Sequence, residues 1–275
     1  MNVLSLFDGI SCGQVALKRA RKKVNNYYAS EIDKNAIKIT QKNFPKTHQL
    51  GDVTNWRSWN LPKIDLLMGG SPCQGFSNAG KGLNFNDPRS KLFFEFVKIL
   101  KHYKPKYFLL ENVKMKKQWQ DIITQYLGVN PIMINSNLVS AQNRIRVYWT
   151  NISGIKQPRD RNKVLSSIID TKSIIKEVGC WEKYHDKAMS QFVDPYNQSP
   201  LIDKSNTLRT NVSNGNMWVK MPNNKYRNLT VTETERLQTI PKKYTQNCGV
   251  SDNKCKIALS NGWTVDIIVH ILRGI

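Results

Sequence analysis

The stretch Val3-Leu4-Ser5-Leu6-Phe7-Asp8-Gly9-Ile10-Ser11-Cys12-Gly13-Gln14 decides the architecture. A short apolar run, Val3 to Phe7, ends in a Gly/Ser turn and passes into an amphipathic segment from Gln14 to Lys23, the pattern of a strand, a turn and a helix. The alternation continues outward. Apolar runs at Tyr27 to Ser30, Ile64 to Met68 and Tyr107 to Leu110, and a further candidate strand around His48 to Leu50, each end in polar residues, and a second helical pattern starts at Lys34. Strands alternating with helices predict an α/β fold on a largely parallel sheet. In such open sheets ligands sit beyond the carboxyl ends of the strands, so residues 8–13, 31–33, 51–53, 69–75 and 111–113 are the candidate functional tips. From about 154 to 226 the periodicity weakens and Asn, Ser, Pro and basic residues prevail, which predicts a small irregular lobe.

Length and charge narrow the classes. The 275 residues suffice for one large α/β domain with a small appended lobe. No stretch approaches the roughly 18 apolar residues of a membrane span. The opening residues lack a leader pattern, so the expected setting is cytoplasmic, with no membrane partner. Forty-two Lys and Arg against 20 Asp and Glu give +22, spread along the chain, which makes a polyanion bound on a folded face the first expectation. The five cysteines are odd in number and form no CxxC pair, which predicts neither a disulfide framework nor a zinc site, and no metal is expected.

At the first tip the glycines of Phe7 to Gly13 permit close approach to a ligand, and the helix start favours a negative group, though the spacing is not GxGxxG. Glu31, roughly twenty residues on at the second tip, can accept from both hydroxyls of a ribose. Asp52, at the third, can accept from the amino group of an adenine. Singly each has an ordinary structural explanation; in this order they describe a nucleoside cofactor. The fourth tip reads Gly69-Gly70-Ser71-Pro72-Cys73-Gln74-Gly75. A lone cysteine is usually a small core residue, but two glycines and a proline make a poor core and a good exposed elbow. Glu111-Asn112 lies within reach if the fourth and fifth strands are neighbours. A thiolate is a suitable nucleophile for an electron-poor ring carbon.

Together these residues resemble the DNA (cytosine-5) methyltransferase family, over nearly the whole chain and in the family's motif order. Phe7-Asp8-Gly9 with Gly13 resembles the methionine-binding loop, Pro72-Cys73 the catalytic dipeptide and Glu111-Asn112-Val113 the ENV element. Gln142-Asn143-Arg144-Ile145-Arg146 fits QxRxR, Arg227-Asn228-Leu229-Thr230 fits RxLT, and Asn261-Gly262-Trp263 resembles the element that caps the cofactor. The wording of residues 7–13, 81–83, 92–96 and 263–265 is similar to the mammalian de novo branch and its bacterial and phage relatives. Ser11 and Ser260 depart from glycines found in many bacterial members.

The resemblance implies a Rossmann-like sheet divided into a catalytic domain (1–153), a target-recognition region (154–226) and a return to the catalytic domain (227–275). It implies S-adenosyl-L-methionine as cofactor, held by Phe7, Asp8, Gly9, Ile10, Cys12, Glu31, Ile32, Asp52, Val53, Pro72, Leu92, Asn261, Gly262 and Trp263. Cys73 would add to C6 of cytosine while Glu111 holds a proton at ring N3, making C5 nucleophilic enough to take a methyl group. Arg144 and Arg146 would hold the cytosine O2 edge, the adjoining phosphate or Glu111 itself.

Because C5 is out of reach inside a duplex, the base must be flipped out at a cost of a few kcal/mol. Residues 74–90 then read as a lid, with Gln74, Ser77, Asn78, Lys81 and Arg89 touching DNA. Thr207, Arg209, Thr210 and Asn211 are expected to address base edges, in a site of about two to four base pairs given so small a lobe. The expected partner is double-stranded DNA, in a nucleoid-associated modification enzyme of prokaryotic or phage type that works as a monomer, with a cognate restriction endonuclease as a further candidate partner. A tRNA cytosine-5 methyltransferase is the alternative in the same family, but the Cys-Phe-Thr element of that branch is missing. A catalytically dead DNA-binding paralogue would be expected to have lost Cys73, Glu111 or the cofactor loop, and a nicotinamide enzyme would need GxGxxG.

Overall fold

Five parallel strands in the order β3-β2-β1-β4-β5 form the greater part of a seven-stranded sheet, completed by β7 and β6. The computed structural model describes residues 1–72, 91–170, 191–195, 199–210, 216–220 and 226–275. Along this sheet run β1 (Asn2–Leu6), β2 (Asn26–Ser30), β3 (His48–Gln49), β4 (Leu66–Gly70), β5 (Tyr107–Val113), β6 (Ile132–Asn135) and β7 (Ile145–Thr150). The expected α/β Rossmann-like architecture is therefore present, and β7 joins β5 antiparallel. The order reverses at β1, whose neighbours are β2 and β4. The carboxyl ends of β1 and β4 thus flank the switch point where ligands bind in folds of this class.

Helices α1 (Cys12–Arg19), α2 (Lys34–Asn43), α3 (Lys91–Tyr103) and α4 (Lys117–Leu127) pack beside the sheet strands, and α7 (Val265–Leu272) packs against α1. Phe93, Phe96, Val97 and Leu100 of α3 recur at the spacing of one helical face and enter the core with Leu4, Leu6, Leu67, Leu110 and Trp149. Gly69 is needed for this approach: a Cβ there would lie 3.1 Å from the Phe96 ring and 3.2 Å from the Leu6 carbonyl oxygen. The contact also explains why β4 runs on into the two glycines, beyond the apolar run that marks it in the sequence; Gly70 is paired with Glu111 of β5. At the chain end, Asp266 of α7 pairs with Arg19 of α1 at 2.7 Å.

Packing divides the chain into two compact units. The first comprises Met1–Ile134, Ile145–Gln157 and Val265–Ile275; the second comprises Asn135–Arg144 and Pro158–Thr264. These bounds differ from the functional division at 153 and 226. Leu229 and Leu237 pack with Ala141, Leu165, Phe192 and Val219 in the core of the second unit, which draws residues 227–264 into it. The stretch expected to be irregular contributes a four-stranded antiparallel sheet in the order β11-β10-β8-β9, formed by β8 (Phe192–Asp194), β9 (Ser199–Leu201), β10 (Trp218–Lys220) and β11 (Tyr226–Asn228). Strands of three residues are too short for a period of two to stand out in a sequence.

The RxLT element has a clear structural task. Arg227 makes two parallel bonds of 2.8 Å to Glu233, which is fully buried. The same carboxylate accepts from the Thr230 amide at 2.8 Å while the Thr230 hydroxyl accepts from the Glu233 amide at 3.0 Å, a capping box that starts α5 (Val231–Leu237). Truncating one partner of such a pair leaves a charge buried without its counterion. Arg227→Ala is therefore expected to lower unfolding stability by about 3–5 kcal/mol in urea denaturation, and a loss within about 0.5 kcal/mol, as for an ordinary surface substitution, would contradict this account.

Candidate active site

The loop after β1 is bent by three left-handed residues, Phe7 (φ 56°), Gly9 (φ 57°) and Ser11 (φ 55°). Only Gly9 adopts this geometry without steric cost. The Glu31 carboxylate holds the bend: one oxygen accepts from the Gly9 amide at 2.7 Å, and the other accepts from the amides of Ile32 and Asp33 at 2.7 and 2.8 Å. A carboxylate has about four lone-pair sites, so a group fixed by three amides can still accept from a ligand hydroxyl. Beside it Ile32 leaves 71% of its surface exposed, and a Cβ added to Gly9 would meet nothing within 4 Å. An exposed apolar side chain, an oriented carboxylate and open space over a glycine thus share the tips of β1 and β2. Asp52 accepts from the amide and hydroxyl of Thr54 at 2.8 and 2.9 Å and caps a short helical turn over Val53–Ser58. Ile10, Cys12 and Val53 are buried, and Leu92 and Pro72 are half-buried.

Asp8 lies beneath this loop. It accepts from the Tyr27 hydroxyl at 2.7 Å and from the Ser11 hydroxyl. Part of the residue surface remains open, but the carboxyl itself is enclosed, and desolvation by burial pushes its pKa up to about 6 against the opposing pull of the hydroxyl donors, with the nearby Glu31 charge adding to the rise.

The tips of β4 and β5 adjoin as expected. The Asn112 side chain donates to the Ser71 hydroxyl at 3.0 Å and to its carbonyl at 3.4 Å, while its own oxygen accepts from the Val113 amide at 2.8 Å. Asn112 is 2% exposed, so the backbone leading into Pro72 is tied to β5 inside the protein. One strand further, Arg146 of β7 stands opposite Val113, which makes Glu111 its diagonal neighbour. Arg146 Nε lies 3.0 Å from Glu111 Oε1, both side chains being nearly buried. Cys73, Gln74, Ser77, Asn78, Lys81, Arg89 and Asn211 lie outside the described residues.

Arg144 has a different setting. It is 3% exposed and donates to the carbonyls of Ser260 and Gly262 at 3.1 and 2.9 Å, so it holds the Asn261-Gly262-Trp263 element. Gln238, unmarked in the sequence, does the same from α5's end, donating to the carbonyls of Leu259 and Gly262 at 2.7 and 3.1 Å and accepting from the Thr264 hydroxyl at 3.0 Å. Gln142, the first residue of the QxRxR element, is also buried and accepts from the Leu208 amide at 3.0 Å. Thr207 donates to the Asn143 carbonyl at 2.7 Å, the Arg209 backbone is bracketed by Asn216, and Thr210 is exposed. Tyr27, Asn112, Gln142 and Gln238 carry these networks through polar atoms placed at interior positions. Of the four, the family-like motifs cover only Asn112 and Gln142.

A switch-point sheet with a strained loop, a fixed carboxylate and a second carboxylate paired to arginine defines an α/β protein of the Rossmann-like class. A model of the C-5 cytosine-specific DNA methylase family matches residues 1–162 and 115–275, and the chain belongs to this family. It is 30% identical over 274 residues to the type II methyltransferase M1.ScrFI of Lactococcus lactis subsp. cremoris, covering 88% of this chain and 70% of that one. It is 37% identical over 187 residues to the type II methyltransferase M.HgiCI of Herpetosiphon aurantiacus, but that match spans 63% of this chain and only 43% of the relative. Among solved structures it superposes on a Spodoptera frugiperda DNMT2 mutant with a TM-score of 0.72 at 21% identity, over 99% of this chain and 98% of that one. Entamoeba histolytica methyltransferase EhMeth gives 0.71 at 19%, over 100% and 97%. At such identities the superpositions attest to the fold.

The raised Asp8 pKa has a testable sign. A carboxyl that titrates near 6 when folded and near 3.8 when unfolded favours the protonated folded state, so stability is lost as pH climbs through this window. Asp8→Asn removes that cost. The variant is expected to be more stable than the parent by about 3 kcal/mol at pH 7.5 and by about half as much at pH 5. Denaturant titrations at the two pH values measure the difference; a variant less stable than the parent at pH 7.5 would reverse the assignment.

Proposed function

We propose that this chain transfers a methyl group from S-adenosyl-L-methionine to C5 of a flipped cytosine in a short duplex DNA site, as a modification enzyme of prokaryotic or phage type. The observation that carries the proposal is the joining of two half-sites on one sheet edge. At the tips of β1 and β2 stand the bent loop and the oriented Glu31, and at the tips of β4 and β5 stands Glu111 paired with Arg146, with Ser71 tied to Asn112 just before Pro72 and Cys73.

The residues present fit the cofactor. Glu31 would accept from the ribose hydroxyls, the exposed Ile32 would cover the flat adenine, Asp52 would accept from its amino group, and the open space above Gly9 leaves room for the methionine part. When bound, the sulfonium supplies an electrophilic methyl group. The chain's own residues prepare its acceptor. The Cys73 thiolate adds to C6 of cytosine, Glu111 holds a proton at ring N3, and the electron density of the ring moves to C5. Arg146 fixes one Glu111 oxygen through Nε and so limits rotation of the carboxyl group. After transfer, the C5 proton passes to water, the C6–S bond breaks with its electron pair returning to the Cys73 sulfur, and 5-methylcytosine remains beside the restored thiolate.

Arg144 has a positioning part in this scheme, since it and Gln238 hold the carbonyls around Asn261-Gly262-Trp263, the element that resembles the cofactor cap. The Thr207 to Thr210 segment, extended by Asn211, is assigned to base reading, residues 74–90 to closing over the flipped base, and the surplus of Lys and Arg to phosphates. No described helix is long and apolar enough to cross a membrane.

Methylation sequencing of plasmid DNA from cells expressing the chain tests the proposal directly. Expected are 5-methylcytosines at one short recurrent sequence, none in cells expressing Cys73→Ser, and retention of S-adenosylmethionine binding by that variant. Methylation of tRNA with none on duplex DNA would move the substrate to the alternative branch. Full turnover by Cys73→Ser would remove the nucleophile.

A further inference from the structure

Two cysteines outside the methyl-transfer residues share a single acceptor. Cys248 donates its thiol proton to the Thr245 carbonyl oxygen at 2.8 Å, and Cys255 donates to the same oxygen at 3.2 Å. Two sulfurs held against one oxygen lie within a few ångströms of each other, although neither is in a disulfide. Cys255 is 1% exposed in the first turn of α6 (Asp252–Asn261), and Cys248 is half-buried in the loop before it.

The arrangement is built rather than incidental. Glu235, fully buried on α5, accepts from the Thr245 amide and hydroxyl at 2.8 Å each through one oxygen, and from the Lys243 amide at 2.8 Å through the other. The Gln246 side chain donates to the Thr232 hydroxyl at 2.9 Å. Asn247 (φ 54°) and Gly249 (φ 68°) then reverse the chain so that Cys248 faces the start of α6. Beside this turn opens a polar cleft of about 620 Å³, lined by Thr245, Gln246, Asn247, Gly249, Val250 and Asp252 among others. Neither cysteine lines this cleft: Cys248 is half-buried between the lining residues Asn247 and Gly249, and Cys255 is closed off.

We propose that Cys248 and Cys255 form a reactive dithiol site that reduces small polar disulfides of the peptide type, which reach the half-buried Cys248 from its exposed side. In the first step the Cys248 thiolate attacks one sulfur of the incoming disulfide; that S–S bond breaks, and a free thiolate leaves and takes a proton from water. In the second, Cys255 gives its proton to water and attacks the Cys248 sulfur, expelling the second thiolate. Two electrons pass from the dithiol to the incoming disulfide, and the chain is left with a Cys248–Cys255 bond. The order of attack follows from access and charge. Burial, with the nearby Cys248 sulfur adding to it, pushes the Cys255 thiol up to about 11, and Cys255 is also closed to solvent, so the half-buried Cys248 reacts first. Only six residues separate the two, so little chain entropy opposes closure.

The test incubates the whole chain with millimolar oxidised glutathione, quenches in acid, alkylates and maps the cysteines by mass spectrometry. Expected is the loss of two alkylatable thiols at 248 and 255, without bound glutathione and restored by dithiothreitol. Cys255→Ser is expected to accumulate a glutathione adduct at Cys248, and Cys248→Ser to react at Cys255 at least about tenfold more slowly than the parent. Buried Cys12, which has no such setting, is the internal control. Pairing of either cysteine with Cys12, Cys73 or Cys180, a first adduct at Cys255, or reaction at both positions no faster than at Cys12 would overturn the proposal.

Discussion

The bond from the Gly9 amide to the Glu31 carboxylate is the constraint on which the tips of β1 and β2 depend. Three left-handed residues in five are an unfavourable way to leave a strand, since for Phe7 and Ser11 the Cβ crowds the backbone. The loop persists because it is over-determined. Gly9 is held from the tip of β2, the Asp8 amide donates to the Ser30 carbonyl at 3.2 Å, and the Asp8 carboxyl is engaged by Tyr27 and Ser11. Each of these partners is supplied by β2 or by the loop itself, and β2 is fixed by its parallel register with β1, Leu6 against Ser30. The sheet thus transmits its rigidity to the loop through a few hydrogen bonds, two of which end on carboxylates. Burying one of those carboxylates has a cost, visible in the raised Asp8 pKa, which is the expected companion of a strained and pre-formed site.

The second unit reaches rigidity by another route. Its strands have three residues each, too short to be held by ladder bonds alone, and its interior contains Glu233, Glu235, Gln142, Gln238 and Arg227. Gln142 and Glu233 each satisfy backbone groups of two segments, and Glu235 and Gln238 tie α5 to the backbone that follows it. Glu233 joins the cap of α5 to Arg227 and to the Asp170 amide, Glu235 shapes the turn that presents two thiols, and Gln238 joins α5 to the end of α6. Networks of this kind are stable only when fully satisfied, so they specify one arrangement where apolar packing alone would allow several.

Four of the five parallel strands were legible as short apolar runs ending in polar residues, β3 (His48–Gln49) only as the next step of the alternation, and the tips were legible because fold class alone says where ligands bind. The positions of Glu31 and Glu111 at strand tips follow from that inference, whereas the pairing of β4 with β5, which sets Glu111 beside the Ser71-Pro72 turn, does not, because sequence order alone does not make strands neighbours. The polar interior was not legible. A buried Gln or Glu has no periodicity, and Gln238 differs in no sequence pattern from a solvent-facing helix residue. The division of the chain was hidden for a related reason: Leu229 and Leu237 mark an apolar face without saying which core receives it.

The contrast between Arg144 and Arg146 shows where the limit lies. Two residues apart in an extended segment, they are expected on one face, and spacing alone gives them one role. The alternation starts only with β7 at Ile145, however. Arg144 precedes it outside the strand, where its amide donates to Asn135 Oδ1 at 3.0 Å and its carbonyl accepts from the Ser136 amide at 3.0 Å. Arg146 is then carried by strand register to Glu111, and Arg144 is released from that register to bind the carbonyls of residues 260 and 262. A difference of one residue in where a strand begins therefore separates the guanidinium that pairs with Glu111 from the one that holds the backbone of residues 260 and 262. Strand boundaries are the feature a single sequence defines least well, because nothing in side-chain chemistry marks the residue at which the backbone enters the ladder.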